Sequence, residues 1–224
     1  MQLDTPFQIG SRGVTILAEP ALWRDGFANV PAITIAAGME PEFCARMVER
    51  AARASYVRDD ILNVGTRVVE APQRVGKALS LVLHSPDLLH WLEQATGMSP
   101  LGDMAGSLFE TRADSDQALG WHDDRNEPAR RLAIVINLSD QRYSGGQFQL
   151  RRKGETAPLL CHDHTRPGSI LIFAVKDELE HRLTHVEQGG PRRVFAGWFT
   201  TGSEKEFGGL RSTGSSLADQ TFNR

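Results

Sequence analysis

The chain has 224 residues, a length that suits one ordinary domain or at most two small ones. Forty per cent of the residues are hydrophobic, enough for one sizeable core, and 28 acidic side chains against 25 basic ones leave a net charge of −3. That balance speaks against nucleic-acid binding driven by general positive charge, and the two distant cysteines, Cys44 and Cys161, exclude a cysteine-based zinc module and a disulfide framework.

No apolar run approaches the roughly 20 residues of a membrane-spanning helix. The longest, around Leu132–Leu138 and Ile170–Val175, are of strand length. The first residues, Met1-Gln-Leu-Asp-Thr-Pro6, lack the basic-then-apolar pattern of a signal peptide. The expectation is a soluble cytoplasmic protein with no membrane or nucleic-acid partner.

Residues 1–40 are broken often by glycine and proline, and Val30–Ile35 reads as a short strand. Pro41–Ala54 reads as a helix: Phe43, Met47, Val48 and Ala51 recur at helical spacing, and Pro41 suits the first turn. Val57–Pro72 is polar and Arg-rich and reads as strand plus loop. A second helix is predicted over Asp87–Thr96, with Pro86 ahead of it and Gly97 as its stop. Short β-forming segments follow: Gly106–Thr111, Leu119–His122, Arg131–Leu138, Gln147–Arg151, Gly168–Val175 and Arg192–Thr200. Turn residues bound each one, which argues for a sandwich or barrel. The predicted architecture is therefore mainly β with N-terminal helices packed against it. Residues 1–201 are expected to form a single domain, with helical support over about 1–100 and the β core over about 101–201. Residues 202–224 read as a polar tail.

Seven histidines are candidates for chemistry: His84, His90, His122, His162, His164, His181 and His185. The first two fall near the second helix and read as ordinary helix-surface residues. Trp121-His122-Asp123-Asp124 is more informative. At a strand end, His122 and Asp124 would share a face, because strand side chains alternate. An imidazole and a carboxylate on one face are two parts of the 2-His-1-carboxylate triad that suits Fe(II). Alone, His-x-Asp is a weak signal and reads first as a surface turn.

Downstream, Pro167-Gly-Ser-Ile-Leu-Ile-Phe173 precedes His181-Arg-Leu-Thr-His185-Val, then Gly190-Pro-Arg192-Arg193 and Trp198-Phe199. With His-x-Asp, the segment Arg131–Asp140 and Gly145-Gly146, this order resembles the 2-oxoglutarate- and Fe(II)-dependent oxygenases of the prolyl 4-hydroxylase-like branch. The resemblance covers roughly Phe109 to Phe199. It implies a double-stranded β-helix, or jelly roll, and metal ligands His122, Asp124 and His181. His181 is preferred to His185 because it lies 181 − 173 = 8 residues after Phe173 and 181 − 122 = 59 after His122, spacings that resemble the family's. His185 then falls in the slot of a family proline, as a packing or supporting residue. His162 and His164 fall on a loop or short outer strand, read as surface polarity or part of the site entrance.

The resemblance also implies a cation for the distal carboxylate of 2-oxoglutarate, which a guanidinium can grip with two parallel bonds. Arg192 fits Gly-x-Arg, and 198 − 192 = 6 fits its distance from Trp198. The interval 192 − 181 = 11 is slightly long and calls for a bulge near Gly189–Gly190. Arg193, facing the other way, reads as solvated. Asn137 stands where the family often carries a tyrosine that contacts the cosubstrate, and an amide can also donate.

The implied cofactors are Fe(II), 2-oxoglutarate as cosubstrate, and O2, with ascorbate as a reductant. The implied reaction is hydroxylation of an aliphatic carbon with release of succinate and CO2. Related halogenases carry Gly or Ala at the carboxylate position, so Asp124 favours hydroxylation. A protein or peptide substrate, prolyl-like, is the leading expectation; a free amino acid or small metabolite is the alternative. Remoter readings are an iron dioxygenase without 2-oxoglutarate and a non-catalytic jelly-roll binding module. Val57–Pro72, with Arg58, Asp59, Asp60 and Arg67, and the loop Arg112–Gln117 are implicated on the substrate side.

Overall fold

The computed structural model describes residues 5–61, 65–164 and 166–202, the side chains of Asp60 and Ile61 excepted. The expected tail lies, beyond Gly202, outside the described residues.

A short hairpin, β1 (Phe7–Gly10) and β2 (Gly13–Ile16), opens the fold, followed by α1 (Ala21–Asn29) and β3 (Ala32–Ile35). Helix α2 spans Pro41–Ala52. Pro41 starts it, and Phe43, Cys44, Met47 and Ala51 form its buried stripe. The Arg-rich stretch after it is a hairpin, β4 (Tyr56–Ile61) and β5 (Gly65–Glu70), where strand plus loop was expected. Helix α3 (Val75–Leu83) was not expected. The Glu70 carboxylate accepts from the amides of Val75 at 2.9 Å and Gly76 at 3.0 Å, satisfying two free donors of its first turn. Helix α4 (Pro86–Thr96) ends at Gly97, whose φ of 70° closes its last turn.

The β core consists of β6 (Asp103–Thr111), β7 (Leu119–His122), β8 (Arg130–Asn137), β9 (Tyr143–Gly145), β10 (Phe148–Arg152), β11 (Leu160–His162), β12 (Ile170–Ala174), β13 (Leu179–Leu183), β14 (Val186–Gly189) and β15 (Arg192–Thr200). One antiparallel sheet runs in the order β11-β10-β13-β7-β5-β6-β15-β8-β12-β3, with β4 added on β5. β9 and β14 pair separately. The large sheet curls on itself: Phe148 of β10 lies ring to ring with Phe173 of β12 at 4.7 Å, although six strands separate them in the order. This is a jelly roll. Strand β12 is buried along its whole length, as a central strand covered on both faces must be. Leu79, Leu83, Leu88 and Leu92 of α3 and α4 are fully buried in the same core, so the helices back the roll. Among the described residues no helix is long and apolar enough to cross a membrane.

Candidate metal centre

Strand β7 ends on His122, and β13 runs antiparallel beside it with His181 directly opposite. Paired positions share a face of a sheet, and the two rings meet at a centroid distance of 4.2 Å. Asp124 reaches the same side by another route than strand alternation. It lies past the end of β7 with φ at +58°, a left-handed conformation that Asp tolerates better than most residues. Its Oδ1 lies 3.7 Å from His122 Nε2 and its Oδ2 3.4 Å from His181 Nε2. One ligating atom from each of His122, Asp124 and His181 lies within 4.8 Å of the other two.

The surroundings prepare these groups. His122 Nδ1 contacts the Gly120 carbonyl at 2.7 Å; with the proton on Nδ1, the Nε2 lone pair is turned to the centre. Burial lowers the His122 pKa, and the nearby His181 lowers it further, so the ring stays neutral as a ligand must. Burial alone would raise the Asp124 pKa, but its hydrogen bond and attraction to His181, its interaction with His122 and the Trp198 indole hold it below the usual carboxylate range. Trp198 Nε1 donates to Asp124 Oδ2 at 2.9 Å. The Arg130 guanidinium stacks 3.9 Å over the Trp198 ring. Phe173 packs against His181 at 4.7 Å. His185 is exposed and off this cluster; its carbonyl accepts from the Gly146 amide at 2.6 Å.

A cavity of about 380 Å³ opens on the three residues, with Phe148, Phe173, Val135 and Val194 among its apolar walls. Arg192 lines it too. Arg192 is buried, has no carboxylate partner among the described residues, and its Nε has no hydrogen-bond partner. Burial lowers its pKa, while the adjacent Tyr143 hydroxyl favours the cation. A lone buried cation is costly, so this geometry suits an incoming anion. Gly146, at φ +61°, makes room for its stem: a Cβ there would meet Arg192 Cδ at 2.8 Å. The extra length before Arg192 is taken up by Gly189 and Gly190, both with positive φ, and by a register shift between Val186 and Gln188.

Three sequence expectations are corrected. Arg193 is not solvated: it is buried between Glu110 at 2.8 Å and Asp140 at 2.6 Å, because the outer face of β15 is covered and β6 sets Glu110 opposite it. His164 is not on the surface: it is buried, with Nδ1 2.9 Å from the Ser169 hydroxyl. Asn137 is not among the residues lining the cavity. Its Oδ1 accepts from the Ser139 amide and hydroxyl, at 3.0 and 2.7 Å, and its Nδ2 donates to the His164 carbonyl at 3.4 Å. Sequence reasoning missed Tyr143, which carries no motif, and used Trp198 only as a landmark.

Thr66, Arg67 and Gln117 also line the cavity. Arg67 pairs with Asp59 at 2.6 Å and stacks over Phe109 at 5.0 Å. Arg58 reaches Asp116 at 3.5 Å. The Asp60 side chain lies outside the described residues.

Residues 109–200, which carry every candidate site residue, match the model of the 2OG-Fe(II) oxygenase superfamily. No curated protein matches it in sequence. Among solved structures, it is similar to an oxidoreductase of the 2OG-Fe(II) oxygenase family from Burkholderia pseudomallei, at TM-score 0.62 and 15% identity over 86% of this chain and 95% of that one. It is also similar to a Pseudomonas putida prolyl-4-hydroxylase, at TM-score 0.60 and 15% identity over 82% and 99%. A third is a Trichoplax adhaerens prolyl hydroxylase in complex with a hypoxia inducible factor peptide, at TM-score 0.59 and 13% identity over 81% and 88%. At such identities these structures share the fold.

Proposed function

We propose that His122, Asp124 and His181 hold Fe(II), that Arg192 anchors the distal carboxylate of 2-oxoglutarate, and that the enzyme hydroxylates an aliphatic carbon of a protein or peptide, prolyl-like, substrate. The observation that carries this reading is the convergence on one cavity of two imidazoles, one carboxylate and a buried, uncompensated guanidinium. The donor set fits the metal: three ligands on one side of an octahedron leave three positions open. Bound there, iron, 2-oxoglutarate and O2 supply the oxidation of C–H to C–OH, with succinate and CO2 as co-products.

The chain's own residues orient and shield. Trp198 fixes the Asp124 carboxylate, and Gly120 fixes the His122 tautomer. As a ligand, Asp124 would leave no place there for a halide, which favours hydroxylation over halogenation. Phe148, Phe173 and Val194 keep the cosubstrate side apolar, which strengthens the Arg192–carboxylate attraction. Substrate enters past Thr66, Arg67 and Arg130. A free amino acid or small metabolite is the second reading, favoured by the cavity volume of about 380 Å³, near the lower end for small-molecule sites.

Release of labelled CO2 from 2-oxoglutarate by the Fe(II)-loaded protein tests the chemistry. His122→Ala or Asp124→Ala should abolish it; full turnover in either variant would refute the ligand assignment. Stimulation of that release by proline-containing peptides, and not by free amino acids, distinguishes the two substrate readings.

A further inference from the structure

The charge around the cavity is uneven. Among the described residues that line it, four arginines, Arg67, Arg130, Arg182 and Arg192, stand against two aspartates, Asp123 and Asp124. Lys153 pairs with Asp123 at 2.5 Å, and Asp124 is a proposed metal ligand. Arg192 is the proposed cosubstrate anchor. Arg182 donates to Gln149 Oε1 at 2.8 Å and lies over the Trp121 ring at 4.7 Å. Arg67 and Arg130 remain.

These two share one construction. The Arg130 guanidinium lies 3.9 Å over the Trp198 ring and that of Arg67 5.0 Å over the Phe109 ring, and both rings line the cavity. Stacking covers the flat face of a guanidinium and leaves its N–H edges free in the plane. Arg130 donates from Nη1 alone, to the Asp124 carbonyl at 3.2 Å and Asn126 Oδ1 at 3.1 Å. Arg67 donates from Nε alone, to Asp59 Oδ2 at 2.6 Å. The other nitrogens of both, Nε and Nη2 of Arg130 and Nη1 and Nη2 of Arg67, have no hydrogen-bond partner among the described residues. The carboxylate paired with Arg130 is that of Asp124, with Oδ1 at 3.5 Å, and a bound divalent ion would take up its charge.

Position separates Arg130 from the cosubstrate anchor. Arg130 is paired with Thr200, at the end of β15 opposite to Arg192. At about 3.3 Å per residue the two ends lie roughly 25 Å apart along the strand, so 2-oxoglutarate anchored at Arg192 leaves Arg130 free. Arg130 Nη1 is also 3.5 Å from an oxygen of a proposed metal ligand, so an anion on its free edge would sit beside the metal, a few bonds from the carbon oxidised there. We infer that the substrate carries a carboxylate close to the carbon that is hydroxylated, gripped by Arg130 with Arg67 as a second donor. The inference rests on the proposed iron centre and cosubstrate anchor, and narrows the substrate to one with a free acid end, either a free amino acid or the C-terminal residue of a peptide.

The test compares matched acids and amides: free amino acids with their amides, and proline-ended peptides with free or amidated C-termini. Each is scored by succinate release from the Fe(II)-loaded protein supplied with 2-oxoglutarate. Acids should stimulate release, and their amides should require concentrations higher on the order of tenfold, the size of one lost hydrogen bond between charged groups. A response to free amino acids alone identifies a small-molecule substrate, a response to the peptides alone a chain terminus, and either supports the inference. Arg130→Gln and Arg67→Gln should each raise KM for the responding acid on the order of tenfold and leave KM for its amide unchanged. An unchanged KM for the acid in folded Arg130→Gln overturns the inference. If that variant loses its fold or its metal, an unchanged KM in Arg67→Gln overturns it alone. Equal responses to acids and amides overturn it, as does no response to either series while calorimetry shows 2-oxoglutarate bound to the Mn(II)-loaded protein. Failure of 2-oxoglutarate to bind that protein overturns instead the reading of Arg192 beneath it.

Discussion

Trp198 and Asp124, 74 residues apart in the chain, meet through an indole N–H donated to Oδ2 at 2.9 Å. The bond leaves Oδ1 to His122 Nε2 at 3.7 Å and the Arg130 guanidinium at 3.5 Å. Partners of this kind orient a ligand, and their loss usually lowers metal affinity by roughly 10- to 100-fold. Trp198→Phe keeps the ring under Arg130 and removes only the donor. Its Mn(II) affinity should fall by about that factor, read by titration, while its unfolding transition shifts little. An unchanged affinity would remove Trp198 from any account of the centre.

Arg192→Ala should cost about 2–5 kcal/mol of 2-oxoglutarate binding, as for other buried charge pairs stripped of one partner. Arg192→Lys should restore only part of it, since an ammonium cannot reproduce the planar two-bond grip. Calorimetry on the metal-loaded variants measures both. Equal affinities for the Lys variant and the wild type would mean a point charge suffices.

Arg193 makes a different prediction, about folding alone. Arg193→Ala leaves Glu110 buried beside Asp140 with Arg112 as its remaining partner. Breaking a buried pair costs about 3–5 kcal/mol, which in a protein of this size lowers Tm by roughly 6–20 °C. Arg112 is largely exposed, and Arg112→Ala should cost less than about 1 kcal/mol. Thermal unfolding of the two variants side by side checks the contrast.

Acid should destabilise the fold through His164. Burial, then the Arg192 and His162 charges, hold its folded pKa well below the unfolded value of 6.5. The unfolded chain therefore binds the proton first. Stability is intact above 6.5 and falls as pH drops below it, by up to about 1.4 kcal/mol per pH unit for this one group. Urea unfolding at pH 7 and 5.5 should show the loss. His164→Gln should flatten the slope; an equally steep slope in that variant would assign the effect to other groups.

The meeting of His122 and His181, the proposed ligand histidines, was legible because strand pairing and spacing are local rules. His122 closes a strand that sequence bounds at Leu119–His122, and His181 lies on the strand paired with it. Arg192 followed from the same kind of pattern. What escaped depended on distant chain. α3 has Val75, Leu79 and Leu83 four apart, but Gly76 interrupts the pattern and its cap, Glu70, stands outside the helix. α1 hid in the same way behind Gly26. Alternation put Arg193 on the face away from the cavity, and nothing local shows that Glu110 and Asp140 cover that face. Asn137 looked free to donate because its partners Ser139 and the His164 carbonyl are fixed by a turn and a far loop.

Among the described residues, strand β7 pairs with β5 at a single register position, Gly65 opposite Leu119, and its ladder with β13 is broken by a shift between His181 and Leu183. Two of the three proposed ligands sit across that weak seam. An ion bound between them would stitch it shut, so a chelator should loosen the protein first along Leu119–His122, where amide hydrogens would begin to exchange before those of the central strands.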